Sequence, residues 1–396
     1  MRSPFLVALL LLPACSASDQ PAAKPDAAAI HERLLTLDTH LDTPANFARP
    51  GWDVAAAHTY ANDMTQVDLP RMREGGLDGG FWVIFTPQGP VTPEGFAKAK
   101  ADAFKRADEI AAVVAKNAGA MEMATTADDA QRIAASGKRI VYQSVENSYP
   151  LGNDLSLLAE FYRRGVRMAG PVHSKDNQFA DSTTGEGKWG GLSPLGREWV
   201  KEMNRLGMVI DASHSSDATF DQLLALSKTP IILSHSGPRA IFDHKRNLDD
   251  ARIKALAAKG GVIQINSIFL GKFNESPERD ALDKRKERLE QMTPAEQAAL
   301  AADYAALDAK APFQDADFET FMKSLLHCLK LVGPEHVGLG ADWDGGGGVT
   351  GMNDVAALPK ITERLLAAGY SEADLRNIWG GNVLRLLRAA EAARQP

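Results

Sequence analysis

Short apolar runs alternate with helix-period segments from one end of the chain to the other. Residues 34–42, 79–85, 140–146, 166–173, 208–214, 231–235, 261–266 and 337–342 each have strand length and are apolar through most of it. The segments between them repeat their apolar residues at helical spacing, as in 93–117 and 193–206. Strands that are apolar throughout, rather than alternating, are buried on both faces, as in a parallel sheet covered by helices. Eight strand–helix units predict an α/β chain folded as a (β/α)8 TIM-type barrel.

One stretch exceeds a minimal barrel. Residues 269–313 are rich in charge, with Glu275, Glu278, Arg279, Asp280, Lys284, Arg285, Lys286 and Glu287 close together. Thr293-Pro294-Ala295-Glu296 reads as a helix start, with Thr293 as the cap and proline in the first turn. This predicts a helical insertion after the seventh strand, either a solvated charged helix or a lid over the active site. The last helices, within 371–393, open on a Ser-x-x-Asp cap.

Composition narrows the class. The chain has 396 residues, 44% of them hydrophobic and 24% charged, which is enough for one large core. A net charge of −7 argues against nucleic acid as a partner. At the N-terminus, Met1-Arg2, the apolar 5–12 and the small residues around Ala14 follow the grammar of an export signal. Leu12-Pro13-Ala14-Cys15 resembles a bacterial lipobox, with Cys15 as the lipidated residue, although Pro13 is unusual there and ordinary cleavage nearby is the alternative. The expected organisation is a signal or lipobox region over 1–18, a flexible tether over 19–29 and a barrel over 30–396. The expected location is the periplasm or cell envelope, with membrane attachment only through that lipid. Cys15 and Cys328 are the sole cysteines, so the mature chain has no intrachain disulfide, and Cys328 reads as a packing thiol.

The polar residues fall where the strands end. His40 and Asp42 close the first, Glu146 the third, His173 the fourth, His214 the fifth, His235 the sixth and Asp342 the eighth. The C-terminal strand ends of such a barrel converge on one mouth, where active sites lie. Imidazoles and carboxylates gathered there predict a metal site, with more ligands than one open catalytic zinc needs. Glu146 can bridge two ions through its two oxygens. His40, Asp42 and Glu146 then hold one ion, and Glu146, His214 and His235 the other. Imidazole favours zinc, and other divalent ions stay open.

With these residues in view, the chain resembles the membrane (renal) dipeptidase family of zinc peptidases, within the amidohydrolase-type barrels. The likeness runs from about residue 34 to 387. It is carried by Asp38-Thr39-His40-Leu41-Asp42, Glu146, the run from His173 to Ser182, Ile210-Asp211-Ala212-Ser213-His214, Ser234-His235-Ser236, Arg246-Asn247, the run from Gly340 to Gly345 and Gly380-Gly381-Asn382. The family commonly has Gly and Asn where this chain has Thr39 and Leu41. The resemblance implies two Zn2+ per chain and attack by a metal-bridging hydroxide on a dipeptide. It implies His173 at the substrate carbonyl or oxyanion, Arg246 at the C-terminal carboxylate and Asp342 as the proton shuttle. It further implies a broad side-chain range, a tolerated D-residue at the C-terminal position, some β-lactam opening and a homodimer. The alternatives are another amidohydrolase-type reaction, on a lactone, phosphoester or N-acyl amino acid, and a non-catalytic surface-binding lipoprotein. His244, beside Arg246, reads as a surface histidine, with a pocket residue as the alternative, and His31, His58, His327 and His336 as surface or packing residues. Gly345-Gly346-Gly347-Gly348 reads as a turn that lets the substrate backbone approach.

Overall fold

Nine strands, all parallel to their neighbours, form the centre of the computed structural model, which describes residues 26–395. They are β1 (Leu37–Leu41), β2 (Gly79–Ile84), β3 (Met121–Met123), β4 (Arg139–Val145), β5 (Val166–Ala169), β6 (Val209–Ile210), β7 (Ile232–Ser236), β8 (Val262–Ile265) and β9 (Val337–Leu339). Hydrogen bonding orders them β1-β2-β4-β5-β6 in one arc and β7-β8-β9 in another. Bridges between Asp211 and Ile232 and between Leu41 and Trp343 join the two arcs into a TIM-type barrel.

The eight expected strands are the barrel, and β3 is an addition to them. It pairs with the first half of β4 through Met121 and Arg139, while β5 takes the second half from Gln143 onward. Three residues, Met-Glu-Met, carry too little pattern to announce a strand. Several strands also stop short of their expected ends. β5 ends at Ala169 because Gly170-Pro171 follows, and proline has no N–H for the ladder. His173 therefore sits in the loop beyond the strand.

Helices cover the barrel with small or apolar faces. Pro93–Lys116 buries Ala99, Ala103, Ala107, Ile110 and Val114, a stripe at helical spacing, and the Thr92 side chain caps its first turn. Pro194–Leu206 starts on a Ser193 cap and stops at Gly207, whose φ of +73° suits a left-handed terminus. Cys328 lies buried on the inner face of Phe318–Val332, where burial pushes its thiol well up.

The charged insertion folds as Pro277–Lys286 and Pro294–Asp308, the latter opened by a Thr293–Glu296 capping box. It has a small core of its own, built on Leu282, Leu300 and Tyr304. Arg279 ties its two ends together, donating to Asp308 Oδ1 (2.8 Å) and the Ala311 carbonyl (2.7 Å). Gln297 Oε1 accepts from Arg49 Nη2 at 3.0 Å and so fixes the insertion to the loop after β1.

The signal or lipobox region, with Cys15, lies outside the described residues. A helix, Ala27–Arg33, capped by the Asp26 side chain, begins within the expected tether. Among the described residues no helix is long and apolar enough to cross a membrane.

Candidate metal centre and active site

The strand ends deliver their side chains to one rim. His40 stands in β1 and Asp42 directly after it, Glu146 directly follows β4, and His235 lies within β7. His173, His214, Arg246 and Asp342 come from the loops after β5, β6, β7 and β9. Glu146 Oε1 is the common centre. His214 Nε2 lies 3.0 Å from it, His235 Nε2 3.5 Å, His40 Nε2 3.6 Å and His173 Nε2 3.6 Å.

Three overlapping sets of ligand-type atoms result: His40, Glu146 and His235; Glu146, His173 and His214; His40, Asp42 and Asp342. All seven strand-end residues named from the sequence thus meet. The grouping differs in detail from the sequence expectation, because His40 reaches His235 across Glu146, and His173 sits with His214. His31, His58, His327 and His336 stay outside the cluster, bonded respectively to Thr362, Asp63, Asp250 and the Gly261 carbonyl.

Burial, helped by the charge of Arg246, holds His214 well below the ordinary imidazole value, and burial does the same to His235. Both rings are neutral at pH 7, yet their Nε2 atoms face each other at 2.8 Å. His40 behaves oppositely. Burial would lower it, but the carboxylates of Asp42, Glu146 and Asp342 raise it to about 10. Burial pushes Glu146 up to about 8 and Asp342 up to about 6. His40 Nε2 faces Asp42 Oδ2 at 3.2 Å, while its buried Nδ1 has no hydrogen-bond partner. Crowded carboxylates and facing imidazole nitrogens form a donor set suited to a cation. Nitrogen and oxygen donors of this kind fit zinc.

Residues 25–396 match the family described as Membrane dipeptidase (Peptidase family M19). The chain belongs to the membrane dipeptidase family. It is 32% identical over 332 residues to the dipeptidase tcpJ of Claviceps purpurea, covering 82% of this chain and 69% of that one. It is 30% identical over 378 residues to the dipeptidase verJ of Clonostachys rogersoniana, covering 90% and 84%. Among solved structures it is similar to the probable dipeptidase PvdM from Pseudomonas aeruginosa, with 31% identity, a TM-score of 0.79 and coverage of 93% and 98%. The chain is accordingly a metallo-dipeptidase, and its fold is that of the family's barrels.

In this dipeptidase the ligand residues are held by a layer that sequence reading left without roles. Asp38, buried in β1, accepts from the backbone N–H of His40 (2.9 Å) and of Ala341 (3.0 Å), fastening β1 to the loop that carries Asp342. Asp211 does the same between β6 and β7, accepting from the N–H groups of Ser213 and Ser234, both at 2.9 Å. Its other oxygen takes the Ser234 hydroxyl at 2.5 Å, and that hydroxyl lies 2.9 Å from His235 Nδ1. An aspartate inside an apolar strand shows in the sequence only as a break in pattern. Its distant N–H partner, Ala341 for Asp38 and Ser234 for Asp211, does not show at all.

The backbone is strained where the chemistry sits. His214, Phe269, Asp342 and Asp344 have φ of +65°, +58°, +67° and +66°, the left-handed region that side-chained residues rarely enter. Asp344 is pinned there by the Gln66 N–H (2.7 Å) and the Thr43 hydroxyl (2.8 Å). Gly345 follows for a steric reason: a Cβ there would collide with the carboxylates of Asp42 and Asp342. Gly345 thus makes room for the acidic cluster.

Above the cluster opens a cavity of about 560 Å³. Glu146, His173, His214, Arg246 and Asp342 form its floor, and Val83, Phe85 and Pro87 one apolar wall. Glu290 of the insertion also lines it, 3.5 Å from Arg106. The charged insertion therefore borders the mouth.

Proposed function

We propose that the chain is a dinuclear zinc dipeptidase of broad side-chain range that accepts a D-residue at the C-terminal position. The observation that carries this reading is the convergence of four imidazole Nε2 atoms within 3.6 Å of one Glu146 oxygen. His40, Asp42, Glu146, His214 and His235 would hold the two ions, with Glu146 between them. Bound zinc supplies the charge that polarises a peptide carbonyl and makes water nucleophilic near neutral pH.

The surrounding residues provide the rest. Arg246 is buried, its Nη2 lies 3.1 Å from His214 Nε2, and its Nε has no partner. A planar guanidinium with a free donor suits the substrate's terminal carboxylate. Burial lowers His173 to about 4, so the ring is neutral, and the Ser174 hydroxyl lies 2.8 Å from its Nδ1. With that hydroxyl donating, the ring proton sits on Nε2, ready to donate to the oxyanion that develops during attack. Asp342, beside Asp42 and His40, takes a proton from the attacking water and returns it to the leaving amine. The cavity is large enough for varied side chains, which supports the breadth of the proposal.

The test is a dipeptide panel assayed with the zinc-loaded chain, together with Arg246→Ala. Turnover of free dipeptides, with KM raised at least about tenfold in the variant, supports the reading. An activity indifferent to Arg246→Ala assigns the centre to another hydrolysis. We further propose export and lipid attachment through Cys15, supported by the apolar 5–12 and the lipobox-like Leu12–Cys15 sequence. The mass of the mature N-terminal peptide tests it.

A further inference from the structure

Beyond the carboxylate clamp, the cavity has a second wall, and its residues are aromatic. Phe269 lines the cavity in the loop after β8, with Ile268 beside it. The Arg246 guanidinium carbon lies over its ring, 5.3 Å from the centroid. His244 stacks on the same ring at 4.7 Å and 16°, and Phe273 meets it edge-on at 5.4 Å and 88°. The Phe269 carbonyl accepts from Asn247 Nδ2 at 2.9 Å, next in the chain to Arg246. Ring and guanidinium are therefore fixed to one another.

This wall stands in a conformation its residue does not favour. Phe269 has φ +58°, where a bulky aromatic is an outlier and glycine would be at ease. Packing against His244 and Phe273 holds the ring at that place despite the backbone. Strain kept at a cavity wall points to a role for the ring itself. The role follows from covalent geometry. A dipeptide held through its terminal carboxylate carries the C-terminal side chain on the very next carbon, so that side chain emerges beside Arg246.

We propose that Phe269, backed by His244 and flanked by Ile268, is the specificity-determining residue for the C-terminal side chain of the substrate. The wall selects apolar and aromatic side chains there over glycine. The proposal rests on the dipeptidase reading and on Arg246 as the carboxylate clamp.

Two substrates separate the two claims: Leu-Phe and Leu-Gly, each assayed with the zinc-loaded full chain. Wild type should show a higher kcat/KM for Leu-Phe. In Phe269→Gly, which removes the ring and suits the positive φ, the Leu-Phe to Leu-Gly ratio should fall about 10- to 100-fold, mostly through KM. Phe269→Leu, which keeps an apolar wall, should restore much of the ratio. A wild-type ratio near one, or a ratio that Phe269→Gly leaves in place while both substrates slow together, overturns the proposal. No turnover of either substrate by the zinc-loaded wild type removes the dipeptidase reading itself, a distinct failure.

Discussion

His214 Nε2 stands 2.8 Å from His235 Nε2, and Glu146 Oε1 lies within 3.5 Å of both. Two neutral imidazoles cannot keep this approach as lone pair against lone pair. One must donate to the other, or a cation must lie between them and the carboxylate. Two further imidazoles, His40 and His173, reach the same Glu146 oxygen at 3.6 Å, and His40 Nε2 also faces Asp42 Oδ2 at 3.2 Å, a crowding of donors that favours the cation.

Glu146→Gln tests this directly. The amide keeps the shape but removes the charge that serves both sides of the cluster. Zinc per chain, measured by elemental analysis after dialysis, should fall below that of the wild type, and kcat/KM should drop more than about 100-fold. Full metal content in the variant would show that the carboxylate is not a shared ligand.

Asp38 should matter without touching substrate. Its two oxygens accept from His40 and Ala341, so Asp38→Ala leaves two buried N–H groups unsatisfied at about 1–3 kcal/mol each. Denaturant unfolding should report a loss of that size. Because the same bonds aim His40 and Asp342, kcat should fall as well. Unchanged stability would mean that water replaces the carboxylate.

Much of this architecture is legible in the sequence, for physical reasons. Doubly buried parallel strands write themselves as uniform apolar runs, and the barrel's single mouth turns widely separated strand-end residues into one cluster. The runs ending at Asp42, Glu146 and His235 needed little else. What stayed hidden depends on partners distant in sequence. Asp38 reaches the N–H of Ala341 beyond β9, Asp211 reaches the N–H of Ser234 in β7, and β3 exists only because the edge of β4 is free below β5. The left-handed backbone at Phe269 has no residue signal, since glycine would have been the one to announce it. His244, read as a surface residue with a pocket role as the alternative, is half-buried and stacked on that ring.

Ser234 links Asp211 to His235 through its hydroxyl. Partners of this kind orient a metal-bound imidazole and fix its tautomer, and their loss typically costs 10- to 100-fold in affinity. Ser234→Ala should weaken zinc binding by about that factor in a chelator competition, with little change in the apo protein's secondary structure. Wild-type affinity would show that packing alone orients the ring.

A second hydrogen-bonded chain lies at the opposite end of the barrel, away from the His40–Glu146 cluster. Trp379 Nε1 can only donate, and it donates to Thr362 Oγ1 at 2.9 Å. The Thr362 hydroxyl in turn reaches His31 Nδ1 at 2.7 Å, and His31 Nε2 reaches the Gly75 carbonyl at 2.9 Å. This chain of bonds suits a neutral His31 protonated on Nε2, and burial lowers its pKa below the model-peptide 6.5. Below pH 6.5 the unfolded chain takes up a proton that the folded chain still refuses, so stability from this site is present above that pH and is lost as pH falls. His31→Gln can keep both hydrogen bonds without titrating. Relative to that variant, the wild type should lose unfolding free energy between pH 7.5 and 5.5. A difference between the two proteins that stays constant over this range would mean that His31 takes its proton as readily folded as unfolded.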